Sequence, residues 1–550
     1  MGYLLKFRIP GVQRYIFQTP NLKEIRGASA IMEDLCDSKM EKDISDKGGR
    51  VWFMAAGFGA VYVESDKALK QVRSLIHRRV VARTRMLRPQ FAHEPFKNDA
   101  APASALQNLD RRLAAEPPQP DPALPLHTLF QSCQSCRRYP LVQVWDGGDT
   151  QVCGACAAKR SRLNRRGKAT LPYWQKLGAF VAERQDQLHQ SWHLLLAEEN
   201  LAEDLLSDDE SEEARPVDPD SWTETHLPSE LSHIAQQSKR PGYLALIYAD
   251  ANQLGKALSR HFAAIRESTG DGQDKVTKMR GFSEHIDKTM RQATYGALLD
   301  TWPTLTSPFP FDILYLGGDD LLFVCAADKG PKFVQTLCRH FAGMVGKNAA
   351  LRDLTLSVGL VFAKVHTPMS ALVDFAKDLL KSAKTRSFQA TRGDNGTAEM
   401  AGYAVDFAAL TDTSVLQLKT LRRRVNGTSL TIRPCDLTSF NALLTWAAQL
   451  NQAGIGAARL RPVLEACRRS ELQGTAAIQA LIGRMDNKHR EPLLDVLGGA
   501  QNMLDREPLS ESDRFARIPW LQPAGADPPQ TIVGDLIELA PFLEPSKEAP

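Results

Sequence analysis

The alternation of apolar and polar positions predicts two stretches of chain in which strands and helices follow one another in a similar order. The first has a strand at 3–9, a helix at 24–44, strands at 51–55 and 60–64 around a glycine-rich turn, and an amphipathic helix at 66–85. The second has a strand at 243–249, a helix at 276–299, strands at 311–316 and 321–326, a helix at 331–345, a strand at 354–361 and a helix at 371–383. The second stretch therefore has the order βαββαβ with one extra helix, and we expect an α+β protein with an internal duplication.

Composition shifts divide the chain into five predicted segments. The duplicated parts occupy 1–113 and 240–410. Between them, 114–239 begins with a proline-rich linker and contains a run of nine acidic residues with no basic one, which we expect to be a solvated linker rather than a mimic of a nucleic-acid backbone. Residues 411–522 have a helical pattern, and 523–550 are a Pro-rich tail.

The overall composition, with 43% hydrophobic and 24% charged residues, is that of an ordinary globular protein. No apolar run reaches the roughly 18 residues that a membrane helix needs, and the N-terminus has no secretion signal, so we expect a cytoplasmic protein without membrane contact. The net charge of +4, from 68 basic and 64 acidic side chains, is too small to indicate nucleic-acid binding by itself.

Four of the nine cysteines form a spaced set. Cys133 and Cys136 make one CxxC pair, Cys153 and Cys156 make another, and 16 residues separate the pairs. This spacing is typical of a zinc ribbon, in which two tight turns bring four thiolates to one tetrahedral ion and leave no position open for water. The sequence therefore predicts a structural Zn²⁺ site in the 114–239 insertion.

The chain around these cysteines is basic. Its positive residues are Arg137, Arg138, Lys159, Arg160, Arg162, Arg165, Arg166 and Lys168. Such a run suits a phosphate backbone, so contact with RNA or with another subunit is one hypothesis, and a solvated surface beside a metal is the other.

Three aspartates are the candidate catalytic residues. Asp250 follows a predicted strand directly, and Asp319 and Asp320 belong to a Gly-Gly-Asp-Asp turn between two apolar strands. In a βαββαβ sheet the first and third strands are central neighbours, so we expect the three carboxylates to converge. Clustered carboxylates repel one another, and two Mg²⁺ (or Mn²⁺) ions about 4 Å apart would explain them and support nucleotidyl transfer. A hairpin turn without catalytic function is the alternative.

Residues near these aspartates are candidate nucleotide contacts. Gly317 and Gly318 would let a nucleotide approach the backbone closely. The charge of Lys384, at the end of a predicted helix, suits a triphosphate, and Asn252 and Lys256 are further candidates.

The first duplicated part lacks these carboxylates. Its matching turn is Ala56-Gly57-Phe58-Gly59, and Pro10 follows its first strand. We therefore expect the first half to bind no metal and to serve as a binding platform for the second.

The ordered set of motifs resembles the CRISPR polymerase family, the large palm-domain subunit of type III CRISPR effector complexes. The motifs are FRIPGVQRYIF at 7–17, IRGAS at 25–29, the four-cysteine insertion, IYADANQLG at 247–255, YLGGDD at 315–320, SVGL at 357–360 and the Ala-Lys pair at 383–384. Together they cover about 1–410 in order and are more specific than any single motif.

The resemblance implies two ferredoxin-like palm domains that hold two ATP molecules between them, with a zinc-ribbon insertion and a helical C-terminal domain. Cyclic oligoadenylate would be made when target RNA binds a guide-RNA complex that contains other subunits. Asp250, Asp319 and Asp320 match the metal-binding carboxylates, Lys384 matches a lysine near the phosphates, and Ser29 is a further expected contact.

Two departures keep alternatives open. Many family members begin with an HD nuclease domain, but this sequence contains no His-Asp dipeptide, so we expect no DNA cleavage. The chain is also short for the family, so it is either a subunit of an RNA-guided complex or a stand-alone enzyme. A scaffold with an idle metal site and a diguanylate-cyclase-like enzyme are the other two hypotheses.

Overall fold

The structure is a computed structural model. It describes residues 2–55, 57–96, 102–116, 131–145, 150–164, 172–195, 226–267, 272–348, 350–393, 402–410, 417–418, 422, 428–505, 510, 515–522 and 529–543. The predicted acidic linker and most of the proline linker lie outside these residues.

The N-terminal part forms a four-stranded antiparallel sheet with the strand order β2-β3-β1-β4. Its strands are β1 (Gly2–Arg8), β2 (Gly49–Ala55), β3 (Phe58–Val63) and β4 (Gln90–Phe96), and its helices are α1 (Val12–Ile16), α2 (Leu22–Asp34), α3 (Ser38–Ser45), α4 (Asp66–Thr84) and α5 (Pro102–Ala115). The single helix predicted at 24–44 is two helices, because the side chain of Asp37 accepts a hydrogen bond of 2.7 Å from the backbone of Met40 and starts α3 afresh.

The insertion that follows packs on α2. It contains β5 (Gln143–Trp145), β6 (Thr150–Val152), α6 (Gly154–Asn164), α7 (Pro172–Ala182), two short 3₁₀ helices (Gln185–Gln187 and Gln190–Leu195) and α8 (Leu231–Gln236). A side chain at Gly27 of α2 would lie 2.1 Å from the carbonyl oxygen of Lys159 in α6. Glycine is therefore required where these two helices touch.

The second sheet has six strands in the order β12-β11-β10-β7-β9-β8. They are β7 (Tyr243–Asn252), β8 (Phe311–Gly317), β9 (Asp320–Ala326), β10 (Thr355–Lys364), β11 (Ala404–Leu410) and β12 (Cys435–Asp436), and the helices are α9 (Leu254–Glu267), α10 (Gly272–Thr301), α11 (Gly330–Val345) and α12 (Met369–Gly393), with a 3₁₀ turn at Ala327–Lys329. Strands β7 to β10 repeat the order of the first sheet, with the first and third strands adjacent. The α+β class is thus confirmed.

The C-terminal part is helical, as expected. Its helices are α13 (Leu437–Gln452), α14 (Ala457–Arg469), α15 (Glu471–Gly483), α16 (Asn487–Leu504), α17 (Val533–Leu539) and a 3₁₀ turn at Ala540–Phe542. Helix α17 and the 3₁₀ turn lie in the segment 523–550, where the sequence predicts a Pro-rich tail instead. Their apolar residues recur at helical spacing, and Val533, Leu536, Leu539 and Phe542 are buried in the core.

The two faces of the second sheet pack against different partners. On β7, Ala245, Ile247 and Ala249 belong to the core that contains α10, α11 and the C-terminal helices. The alternate residues Leu244 and Leu246 belong to the core shared with the N-terminal sheet and α12. The face of the sheet that carries Leu244 and Leu246 is therefore covered by the first half of the chain.

Helix α2 joins the two halves through buried polar contacts. The guanidinium of Arg26 lies 2.7 Å from the carboxylate of Asp312 on β8, and the two side chains are 6% and 0% exposed. Arg26 also donates to the carbonyl oxygen of Pro228 at 2.8 Å, and the hydroxyl of Ser29 donates to the carbonyl oxygen of Leu314. The Ile25–Ser29 motif is thus an interface between halves.

Replacing Arg26 with alanine is expected to destabilise the protein by about 3–5 kcal/mol, because Asp312 would remain buried without a counter-charge. Urea unfolding measures the loss. The double variant Arg26→Met/Asp312→Leu, which removes both charges, should recover most of it. A single variant as stable as the wild type would contradict this interpretation of the pair.

Candidate active site

The three predicted aspartates meet at the end of the central strand pair. Asp250 of β7 lies opposite Asp320 of β9 in the strand register. The backbone N–H of Ala251 donates to the carbonyl oxygen of Asp319 at 3.2 Å. Since alternate side chains share a face, Asp250 lies on the same face as Leu246, which is the face covered by the first half of the chain.

The turn that carries Asp319 is a two-residue hairpin. Gly317 pairs with Asp320, and Gly318 has a φ of +63°. This left-handed conformation strongly favours glycine at the first turn position. A Cβ added at Gly318 would have nothing within 4 Å, so the space beside the turn is open.

The carboxylates carry more negative charge than their protein surroundings neutralise. Burial, and then the charge of Asp250, raise the pKa of Asp319 from its ordinary value of 3.8 to about 6. The same two causes raise the pKa of Asp320 well above its ordinary value. The amine of Lys384 pairs with Asp250 and is the nearby cation that opposes both shifts.

One oxygen shows that this site suits a cation. Oδ1 of Asp320 is buried and has no hydrogen-bond partner. A buried carboxylate oxygen without a hydrogen-bond donor lowers the stability of the folded protein. A divalent metal ion can bind several such oxygens at once and so offset this cost. The residues present therefore fit Mg²⁺ or Mn²⁺.

Without divalent cations, the free energy of unfolding is expected to fall as the pH rises from about 4 to about 6. The raised pKa of Asp319 means that the folded protein still holds a proton in this range, whereas the unfolded chain has released it. Urea unfolding in Mg²⁺-free buffer, compared with Asp319→Asn, isolates this contribution. Equal slopes for the two proteins would show that Asp319 is not the group responsible.

The structure places the remaining predicted contacts differently. Asn252 is buried, donates to Thr355 and Ser387 at 3.0 Å each and accepts from Ser357 at 2.9 Å. Ser29 is likewise buried, in the contact between the halves described above. Both side chains are thus held inside the protein.

The two lysines predicted near the nucleotide also differ from each other. Lys384 lies on α12 and its side chain is 31% exposed beside Asp250. Lys256 lies exposed on α9. Of the two, only Lys384 contacts a candidate catalytic residue in a bond that the structure shows.

The structure brings three further residues to the site. The amide of Gln13 in α1 donates to the phenol of Tyr248, which lies two residues before Asp250 and on the same face. On α10, Asp287 accepts a 2.9 Å hydrogen bond from the backbone N–H of Gly318. The sequence offers one signal for Asp287, its spacing of four residues from Arg291 on a predicted helix.

The four predicted zinc ligands also come together. Sγ atoms of Cys133, Cys136, Cys153 and Cys156 all lie within 4.8 Å of one another. The Sγ atoms of Cys136 and Cys153 are 3.8 Å apart. Four clustered thiols with this spacing fit a tetrahedral Zn²⁺ ion, which would close the turn at each CxxC pair.

Part of the basic run beside these cysteines points inward. The amine of Lys159 is buried and donates to the carbonyl oxygen of Tyr15. Arg160 pairs with Glu24 at 2.8 Å and Arg162 pairs with Asp34 at 2.7 Å, both on α2. These three residues thus attach α6 to the N-terminal part of the chain, Lys159 through α1 and the two arginines through α2. Arg165, Arg166 and Lys168 lie outside the described residues.

Within the described ranges, the structure contains no helix that is both long enough and apolar enough to cross a membrane.

Comparison with known proteins supports the resemblance seen in the sequence. Residues 243–391 match the family model of the Cas10/Cmr2 second palm domain. Csm1 of T. onnurineus has a similar solved structure, with a TM-score of 0.52 and 14% identity over 98% of this chain and 69% of that one.

Structures of a Csm1-Csm4 cassette are also similar. The complex with cA4 has a TM-score of 0.40 and 16% identity, and the complex with AMPPNP has a TM-score of 0.41 and 16% identity. Each match covers 70% of this chain and 53% of that one, so the chain spans about half the length of these relatives. No curated protein matches the sequence. Residues 243–391 therefore match the second palm domain of the Cas10/Cmr2 family, and the chain as a whole shares the fold of Csm1.

Proposed function

We propose that the chain is a Mg²⁺-dependent nucleotidyltransferase that makes cyclic oligoadenylate from ATP. The observation that carries the proposal is the register of Asp250 opposite Asp320, with Asp319 in the adjoining turn. This arrangement gathers three carboxylates around one buried, unpartnered oxygen at the end of a palm-domain sheet. The three carboxylates would hold a divalent ion, which would supply the positive charge needed when the 3′-hydroxyl of one ATP attacks the α-phosphate of another, a phosphodiester bond forms and pyrophosphate leaves.

The chain's own residues would bind and orient the nucleotides. Lys384 pairs with Asp250 and is within reach of a phosphate that binds at the same carboxylates. The open space at Gly318 admits the phosphates or sugar next to the turn. Both ferredoxin-like halves would contribute, because Gln13 of the first half contacts the strand that carries Asp250.

We further propose that the enzyme works within a type III CRISPR effector complex and is switched on by target RNA held by guide RNA. The support is the Cas10/Cmr2 second palm domain and the fold shared with Csm1. The cysteine cluster would hold Zn²⁺ as a structural ion in the same subunit.

Mass spectrometry of the products tests the proposal. Purified protein is incubated with ATP or with GTP, in Mg²⁺ or Mn²⁺, and we expect cyclic or linear oligoadenylate from ATP alone. A guanine product would instead favour the diguanylate-cyclase-like hypothesis. If neither nucleotide is consumed, the assay is repeated on the complex purified from its native host, and a still inactive complex would identify the palm as an idle scaffold.

A further inference from the structure

A chain of polar contacts connects the metal-binding hairpin to the first half of the protein. It begins at the turn, where the backbone N–H of Gly318 donates to Oδ1 of Asp287 at 2.9 Å. The other oxygen of Asp287 accepts from Nε of Arg291 at 2.7 Å. A second nitrogen of Arg291 lies 3.2 Å from Oε1 of Glu33, which also contacts the amine of Lys176 at 3.0 Å.

Each link joins a different element. Gly318 belongs to the hairpin, Asp287 and Arg291 to α10, Glu33 to α2 and Lys176 to α7 after the cysteine cluster. The side chain of Arg291 is 10% exposed and those of Asp287 and Glu33 are 33% and 24% exposed, so water screens the contacts only partly.

The first link acts on the backbone that carries the catalytic candidates. Gly318 immediately precedes Asp319, and its left-handed conformation sets the direction in which that aspartate leaves the turn. A charged acceptor holding the amide of Gly318 therefore restricts where both carboxylates of the turn can lie.

The last link acts on a helix that is itself fixed to the cysteine module, by which we mean the four clustered cysteines with β5, β6 and α6. Glu33 shares α2 with Glu24 and Asp34, which pair with Arg160 and Arg162 of α6. Movement of the module would therefore displace Glu33, then Arg291 and Asp287, and reach the hairpin.

We propose that Asp287 is a positioning residue for the metal-binding hairpin and that, through Arg291 and Glu33, it couples the hairpin to α2 and the cysteine module. This inference rests on the proposed metal-dependent function of the hairpin. The inference assigns a role to Asp287, which is not one of the three metal-binding aspartates. It also names the contacts through which a movement of the cysteine module would change the geometry of the hairpin.

Hydrogen–deuterium exchange of the hairpin peptide, which includes Gly318, is the primary test because it needs neither metal nor turnover. The variants are Asp287→Ala, which removes the acceptor, Asp287→Asn, which keeps an acceptor oxygen without charge, and Glu33→Gln, which leaves the hairpin contact intact. Asp66→Ala is the matched control, because Asp66 forms an exposed i,i+4 pair with Lys70 on α4.

We expect exchange at the hairpin to rise about tenfold in Asp287→Ala and by a smaller factor in Asp287→Asn and Glu33→Gln, with no change in Asp66→Ala. The melting temperature of Asp287→Asn should stay near that of the wild type. Unchanged exchange in Asp287→Asn and in Glu33→Gln would overturn the coupling, even if Asp287→Ala failed to fold.

Mn²⁺ affinity, measured by titration calorimetry, separates this inference from the proposed function. Asp287→Ala is expected to bind Mn²⁺ roughly tenfold more weakly than the wild type. Weaker binding by a protein that makes no cyclic product would support the positioning role while the proposed function failed. Equal Mn²⁺ affinity together with equal hairpin exchange would overturn the positioning role, whatever the wild type synthesises.

Discussion

Replacing Asp319 and Asp320 together with alanine is expected to lower nucleotidyl transfer by roughly a thousandfold or more, since metal-ion stabilisation of charge in such reactions supplies several kcal/mol. The two residues provide two of the three carboxylates at the site. Asp250 would then be the one carboxylate left of the three, and it is already paired with Lys384. Its single negative charge is too small to hold divalent cations at the site.

The same variant should be at least as stable as the wild type when Mg²⁺ is absent. Burial and the charge of Asp250 raise the pKa of both carboxyl groups, so both destabilise the folded protein once they ionise. Loss of activity with equal or greater stability distinguishes a functional site from a structural turn.

Mass spectrometry of ATP products and urea unfolding, each with and without Mg²⁺, provide the two measurements. Asp374→Ala is a suitable control, because Asp374 is an exposed aspartate on α12 that pairs with Lys377. If the double variant kept a tenth of the wild-type rate, the metal site would have to be sought elsewhere in the molecule.

Replacing Cys153 and Cys156 together with serine is expected to abolish zinc binding by the cysteine cluster and to unfold the module around it. Structural Zn²⁺ contributes on the order of 10 kcal/mol to the folding of small zinc modules at neutral pH, and the described part of this module places two short strands and one helix beside the site. The loss should extend to α2, because Arg160 and Arg162, which pair with Glu24 and Asp34 of α2, lie on α6 within two turns of Cys156.

Elemental analysis and hydrogen–deuterium exchange of α2 check this expectation. The wild type should contain one zinc per chain and the variant none, with faster exchange across α2. Cys36→Ser is the control, because Cys36 is half-buried and outside the cluster. A wild type free of zinc, or a variant with unchanged exchange, would show that the cysteines act without a metal.

The apolar strands of the second half could be predicted from sequence because they are buried on both faces and bounded by glycine and aspartate. Strand β4 could not, since its sequence, Gln90–Phe96, contains the polar residues Gln90, His93 and Glu94 as well as Pro95. Such a sequence is tolerated because β4 is an edge strand that, among the residues the structure describes, pairs with β1 alone. Its existence follows from the repeated topology and not from its own pattern.

The positions of Asp250, Asp319 and Asp320 followed from the strand order, because an antiparallel register fixes which residues face each other. Ser29 and Asn252 were predicted from sequence to contact the nucleotide, but both side chains are buried and hydrogen-bonded within the protein. A polar side chain that completes a buried hydrogen-bond network has the same local sequence as one that contacts a ligand, and only the tertiary structure tells them apart. Asp287 was missed for the same reason, because its partner is a backbone amide 31 residues away.

The buried pair of Arg26 and Asp312 also bears on how the duplicated chain diverged. Two copies of one fold could drift apart freely if each were stable alone, but here each copy supplies half of an ion pair that water does not reach. A substitution on one side lowers the stability of the protein unless a compensating change occurs on the other. At this contact the two halves are therefore expected to change together, so the half without the metal-binding aspartates helps to stabilise the half that carries them.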